Sequence, residues 1–400
     1  MNNIHAALEI GTTRTILAIG ESNGGGRLKV TCHAEIPSSG VRKSQILDIS
    51  QATQSIKSVL KEIQKRHDAE GSKITIANAV LAVSGQHITA SHAEGSAVIE
   101  KDKVGDNEIE EVASRIREMP LPKGRELLDI IDQDYEVDGY GGIISPKGIA
   151  GRMLKLNSLQ IHADIHRIQD AKTAAENVHL EISEPLFAAT CAADAVLDER
   201  ERKDGVLLLD MGGGSTGYAA YCDGVLKDAG VIGVGGDHIT NDIAYAFQTT
   251  NAQAEKLKIE SASAILGQYS TENSRVRITG SSSLMESRTI SRRALDTVVN
   301  ARLKELFSIL RERFEENDLI HRMHAGIVLV GGGAGMREID ILARNELGHE
   351  ARIGKPQNID GIDDIQSPWA FSTIAGALLY SLKANEEKNI LQDIWGRFFK

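Results

Sequence analysis

The sequence holds little that would suit an exported, membrane-spanning or nucleic-acid-binding chain. Its 400 residues include only three cysteines, Cys32, Cys191 and Cys222, with no C-x-x-C pair. That argues against a disulfide framework or a thiolate metal site and fits a reducing cytoplasm. No apolar run approaches the ~20 residues a spanning helix needs. The N-terminus lacks a basic segment followed by an apolar stretch, so no signal peptide is expected. Positive charge is in deficit. A net charge of −11 disfavours nucleic acid as the main partner, because phosphate backbones are bound by clustered Lys and Arg. Aromatic residues make up only 4%, yet Trp395, Phe398 and Phe399 crowd into the last six positions.

What is present is an ordinary globular composition, 41% apolar and 25% charged, in a chain long enough for two or more domains. Its most informative feature is an internal repeat. HAALEI (residues 5–10) reads as a strand, followed by a Gly11-Thr12-Thr13 turn, the apolar stretch TILAIG, a turn at residues 23–26 and a third strand, LKVTCHAEI. The same order recurs as VLLLD, the tight turn MGGGST, GYAAYC, the hairpin turn Asp223-Gly224 and VLKDAGVIG.

In both copies an acid ends the leading strand two positions before a glycine: Glu9 before Gly11, and Asp210 before Gly212. Small residues in such a strand–turn–strand let backbone N–H groups approach phosphate oxygens. The carboxylates can hold the waters around a magnesium ion, which prefers one or two carboxylates plus phosphate. A third cluster, Gly331-Gly332-Gly333, follows the strand AGIVLV and opens a helical stretch, a general nucleotide-approach geometry. Together the three loops describe two similar domains closing on one nucleotide.

LEIGTT, LLLDMGGGSTGYAAY and GIVLVGGGAGM resemble, in order and spacing, the phosphate and adenosine motifs of the actin, sugar-kinase and heat-shock-chaperone superfamily. AVLAVSGQHITASHAEGSAVI, YEVDGYGGIISPKGIAGRMLKLNSLQIHAD and GVGGDHITNDIAYAFQTTNAQAEKLK narrow the resemblance to the FtsA family, and it covers nearly the whole chain. The pilus-assembly relative PilM is the nearest competitor, and a small-molecule kinase of the same superfamily is a further alternative.

The resemblance implies an α/β, actin-like two-domain fold with an FtsA-type insert. The expected boundaries are 1–84 for the first part of the first domain, 85–165 for the insert, and 166–203 for the return and inter-domain connection. The second domain then spans 204–242, a small subdomain 243–320, the adenosine-loop part 321–382, and a linker with terminal helix 383–400. ATP with magnesium is implied as cofactor. Its binding residues are Gly11, Thr12, Thr13 and Arg14, then Gly212, Gly213, Gly214, Ser215 and Thr216, with Gly235, Gly236, Glu255, Lys258, Gly331, Gly332 and Gly333. Glu9 and Asp210 would reach the metal through water.

Glu184-Pro185 precedes the alanine-rich helix FAATCAADAVL, and reads locally as a helix start with proline in its first turn. In the superfamily the position matching Glu184 polarises the water that attacks the γ-phosphate. His162 and His166, four apart, could share a helix face as ligands do, but lack a third ligand and read as solvent-facing or helix-start residues. Where relatives of this sequence carry an acid or a histidine, it has Gly217. Positioning and general-base contributions are each worth roughly 10²-fold or more, so ATP binding with slow or absent hydrolysis is expected.

Residues 388–400, KNILQDIWGRFFK, separate by face. Stepping ~100° per residue places Ile390, Leu391, Ile394, Trp395, Phe398 and Phe399 on one side and Arg397, Lys400 and the other polar residues opposite. Such a helix suits the lipid headgroup boundary, and the stretch KANEEKN, residues 383–389, reads as a short polar tether. A single short helix binds marginally, so attachment would need several copies, which polymerisation supplies. Arginines crowd residues 274–313, where a strand, a loop and an amphipathic helix from about 291 to 316 are expected. In FtsA this subdomain receives the C-terminal peptide of the tubulin-like FtsZ. Arg302 matches an arginine of the docking helix, and Arg293 is a second candidate. Other division proteins are expected around the insert, at the cytoplasmic face of the inner membrane.

Overall fold

Two sheets built on one plan account for the sequence repeat. The computed structural model describes residues 4–22, 27–69, 75–266, 274–278 and 287–398, with side chains as far as residue 385. The turn expected at residues 23–26 lies outside them. In the first copy Ile4–Ile10, Arg14–Ser22 and Leu28–Pro37 run antiparallel in sequence. Val206–Met211, Thr216–Cys222 and Val225–Ile232 do so in the second. On its other side each leading strand gains two parallel neighbours. These are Asn78–Val83 and Glu181–Phe187 in the first sheet, and Gly326–Val330 and Ala351–Ile353 in the second. The leading strands are therefore central and covered on both faces, which is why they read as continuous apolar runs rather than alternating ones. Leu8, Leu207, Leu208 and Leu209 are fully buried.

Helices supply the covering layers through apolar stripes of helical period. Ala52, Ile56, Val59 and Ile63 of Ile49–Ala69 pack on the first sheet. Leu295, Val299, Leu303, Leu306, Leu310 and Phe314 line one side of Arg292–Glu316, close to the expected limits. Each buried Val, Leu, Ile or Phe of these stripes contributes roughly 1.5–3 kcal/mol on burial.

The insert has a small core of its own. Val112 and Ile116 of the helix Asp106–Arg117 pack on Leu154 and Leu156 of the strand Met153–Asp164. Its strand Thr89–Val98 meets the second-domain sheet through one pair, Gly230 with Thr89, so that sheet runs on into the insert.

Three local expectations are corrected. Glu184 and Pro185 lie within the strand Glu181–Phe187, and the alanine-rich helix begins only at Ala188. A proline is tolerated there because this is the edge strand of its sheet, where a missing N–H costs no ladder bond. Gly332–Gly335 form a 3-10 turn, with the α-helix starting at Ile339. The tether expected at residues 383–389 is helical: one helix runs from Ser372 to Phe398, about 40 Å at 1.5 Å per residue. Its Lys and Glu residues are polar but, like its Ala, strong helix formers. The side chains of Ile390, Leu391, Ile394, Trp395 and Phe398 lie outside the described residues, as does Phe399 altogether. No helix among the described residues is long and apolar enough to cross a membrane.

The long helix crosses Ala188–Val196 at close range. A Cβ on Gly376 would fall 1.7 Å from the Cys191 carbonyl oxygen, so glycine and alanine set how near the two can come. This contact brings the start of the last helix under the glycine loops.

Candidate functional site

The three glycine loops converge on one cleft between the sheets. Gly11–Arg14 leaves the first leading strand and Gly212–Ser215 leaves the second. Their tips touch: a Cβ on Gly213 would lie 2.5 Å from Thr13 Cγ2, and one on Gly214 would lie 2.4 Å from Thr12 Oγ1. Gly235 packs against the second loop, where an added Cβ would meet Gly213 O and Ser215 N at 2.6 Å. Gly331 combines a left-handed φ of +80° with a virtual Cβ 2.4 Å from Asp210 Oδ1. Glycine is required there on both counts.

The cleft has two chemically distinct ends. The outer one, about 410 Å³, is walled by Ile239, Ile259, Leu303, Leu306, Met336 and Trp369, with Thr216, Gly235, Gly236, Glu255, Lys258 and Gly333 among its polar and glycine residues. Lys258 Nζ donates to the Gly236 carbonyl at 3.1 Å and to Thr240 Oγ1 at 2.9 Å, and pairs with Glu255 at 2.7 Å. Those bonds fix the helix Asn251–Glu260 over the Gly235 turn. The inner end, about 150 Å³, holds Glu9, Asp210, Gly11, Thr12, Ser44, Ser215, Gly331, Gly332 and Thr373. Thr13, Arg14, Gly212, Gly213, Gly332 and Ala370 border both ends. Arg14 is itself held by Glu35 at 2.6 Å and by the Ala370 carbonyl. An apolar end joined to a glycine-lined polar end has the shape a nucleotide needs.

The inner carboxylates show what else fits. Glu9 Oε2 is buried with no hydrogen-bond partner. Burial, with Asp210 and Glu35 nearby, pushes the Glu9 carboxyl up to about 7, against the opposite pull of Arg14. Burial also raises Asp210, whose Oδ2 accepts from Thr373 Oγ1 at 3.2 Å. Two carboxyl groups facing a phosphate cradle can share it with an anion only if a cation lies between them. The orphaned oxygen and the glycine cradle thus fit a magnesium nucleotide.

Other candidates fall elsewhere. Glu184 lies outside both ends of the cleft. It lines a separate cavity of about 420 Å³ with Asp129, Asp194 and Tyr380. The residue of that segment that borders the inner end is Ala188, which offers no polar group. Gly217 pairs in register with Asp210, and a Cβ there would meet Ala189 Cβ at 3.2 Å. Arg302 borders the outer end and is engaged by Asp242 at 2.6 and 3.0 Å and by Glu305 at 2.5 Å. It is thus held within its subdomain, and Arg293 is exposed at the start of its helix. His162 is a buried strand residue, accepting from Arg125 Nε at 2.9 Å, and His166 is exposed in a helix first turn, so the two do not share a helix face.

Sequence reasoning missed Ser44 and Thr373. Thr373 follows Pro368 at the start of the final apolar helix, a signal that could have flagged it. Ser44 sits in a Lys-Ser turn without glycine, which carries no such signal.

Comparison with known proteins agrees with this geometry. A family model described as "Cell division protein FtsA" matches residues 207–376, and one described as "SHS2 domain inserted in FTSA" matches residues 85–162. The cell division protein FtsA of Pseudomonas aeruginosa is 29% identical over 95% of this chain and 89% of its own length. That of Escherichia coli is 28% identical over 94% and 90%. Among solved structures, the PilM-PilN type IV pilus biogenesis complex matches with a TM-score of 0.64 at 16% identity, over 94% of this chain and 98% of that one. MreB5 of Spiroplasma citri bound to ADP matches at 0.56, also at 16% identity, over 97% and 98%. Both likenesses concern the fold, which is the actin-like ATPase fold.

Proposed function

The chain belongs to the FtsA family of cell division proteins, and from that premise we propose that it binds ATP with magnesium between its two domains and anchors an FtsZ polymer to the cytoplasmic face of the membrane. One observation carries the nucleotide part. Gly11–Arg14, Gly212–Ser215 and Gly331–Gly333 border a single cleft whose inner end faces the orphaned Glu9 Oε2.

In this reading the apolar outer end takes the base, with Lys258 and Glu255 over the sugar side, and the glycine loops take the phosphates. Glu9 and Asp210 would hold the magnesium, which would supply charge neutralisation there. Arg14 balances the inner carboxylates. Turnover is slow, because Gly217 and Ala188 offer no group to orient or deprotonate a water. The terminal segment lies against lipid, Arg293 takes part in binding the FtsZ tail, and copies assemble into a filament that multiplies a weak single-helix affinity.

Electron microscopy of the full-length protein on a lipid monolayer, with and without ATP and magnesium, tests the whole. Filaments on the lipid in the presence of nucleotide are expected. Failure to associate with lipid in any condition would overturn the anchor and favour a pilus-type scaffold of the same fold.

A further inference from the structure

Residues 38–48 contain a small hairpin that the repeat does not explain. Val41–Arg42 pairs antiparallel with Gln45–Ile46, and the two turn residues, Lys43 (φ 49°) and Ser44 (φ 58°), both adopt the left-handed conformation. Two-residue turns of this kind normally use Asn-Gly or Asp-Gly, because side chains are strained there. The strained turn is held from outside. Gly40 O accepts from Leu47 N at 2.7 Å, and Ser44 N donates to Thr12 Oγ1 at 2.8 Å. The hairpin therefore presents its tip to the glycine loops.

At that tip Ser44 Oγ stands 3.4 Å from Thr12 Oγ1 and 3.0 Å from Ser215 Oγ. Thr12 belongs to the first-domain loop and Ser215 to the second-domain loop, so Ser44 closes a chain of three hydroxyls across the cleft. All three border the inner cavity with Glu9 and Asp210. A hydroxyl in such a chain can turn its proton toward an anion without leaving a buried donor stranded, and Thr12 Oγ1 still accepts from the Ser44 N–H when it does. The apolar end is on the far side of Thr13 and Arg14. The phosphate most distant from the base would therefore lie nearest this triad.

We propose that Ser44 is a specificity-determining residue, its hydroxyl donating to the terminal phosphate of a nucleoside triphosphate and so distinguishing triphosphate from diphosphate. The assignment rests on the nucleotide reading above. In the diphosphate state the three hydroxyls bond among themselves, and the third phosphate replaces those bonds with charge-assisted ones.

Equilibrium titration of the full-length protein with magnesium and either a non-hydrolysable ATP analogue or ADP tests it, with thermal melting as the folding control. Ser44→Ala removes the donor. Ser44→Gly also removes it while relieving the left-handed turn. A hydrogen bond to a charged phosphate is worth about tenfold in affinity. Both variants should weaken the triphosphate analogue by about that factor and ADP by less than twofold. Parallel losses for both ligands, or no loss in either, would overturn the role of Ser44 and leave the nucleotide site standing. A wild-type protein that binds neither ligand would overturn the nucleotide site itself.

Discussion

Thr373 donates its hydroxyl to Asp210 Oδ2 over 3.2 Å, tying the first turn of the last helix to the strand end that faces the phosphate cradle. Replacing it with valine keeps the shape and strands a buried carboxylate oxygen, at a cost of about 1–3 kcal/mol. Thr373→Val should lower the melting temperature and weaken magnesium–nucleotide binding several-fold by calorimetry. Unchanged values in both measurements would remove Thr373 from the site.

Glu9 gives the pH dependence a definite sign. Its carboxyl is pushed from 4.5 to about 7 in the folded protein, so between those values the native state binds more protons than the unfolded one. The resulting stability is present at low pH and is lost as pH rises through about 7. Magnesium needs the ionised form, so its apparent affinity should rise about tenfold from pH 6 to pH 8, with protons released on binding. Glu9→Gln should flatten this profile.

Gly331→Ala adds a Cβ 2.4 Å from Asp210 Oδ1 at a φ of +80°. Strain and overpacking together should destabilise the protein by roughly 2–4 kcal/mol and abolish nucleotide binding. Chemical denaturation and a nucleotide titration measure the two effects separately.

Arg302 and Arg293 should respond differently to charge reversal. Arg302→Glu sets a third carboxylate beside Asp242 and Glu305, and should cost about 1–3 kcal/mol of stability. Arg293→Glu should weaken the FtsZ tail peptide about fivefold in fluorescence anisotropy, the usual scale for losing one exposed charge contact. Equal peptide affinity in wild type and Arg293→Glu would exclude that residue.

Deleting residues 388–400 should abolish sedimentation with anionic liposomes while nucleotide affinity stays the same. Retained sedimentation would place the lipid contact elsewhere.

The duplicated sheets and the glycine loops were legible because their signals are local. Apolar runs mark central strands, and a loop that lets backbones approach within van der Waals contact must use glycine, as Gly213, Gly235 and Gly331 do. What stayed hidden depends on distant parts of the chain. Ser44 reaches Ser215 across 171 positions, and its Lys-Ser turn lacks the residues that announce a tight hairpin. Glu184 was placed four residues from where the helix begins, because Pro185 reads as a helix start and is instead accommodated on an edge strand. The clamp on Arg302 carries no local signal, since its partner Asp242 lies on another helix, 60 positions earlier.

The last helix is clamped twice along its length. Thr373 bonds Asp210, and eight residues on Ser381 Oγ meets His5 Nδ1 at 3.1 Å, with Asn385 Nδ2 3.4 Å from the same nitrogen. Two fixed points define a line. The terminal segment therefore leaves the body with a set heading, not merely from a set place. A row of identical copies would carry these helices parallel, like the teeth of a comb, and could meet a flat surface along one edge only. A tilt of about 5° at the Ser381 clamp would sweep the end of the helix at Phe398, about 25 Å further on, through roughly 2 Å.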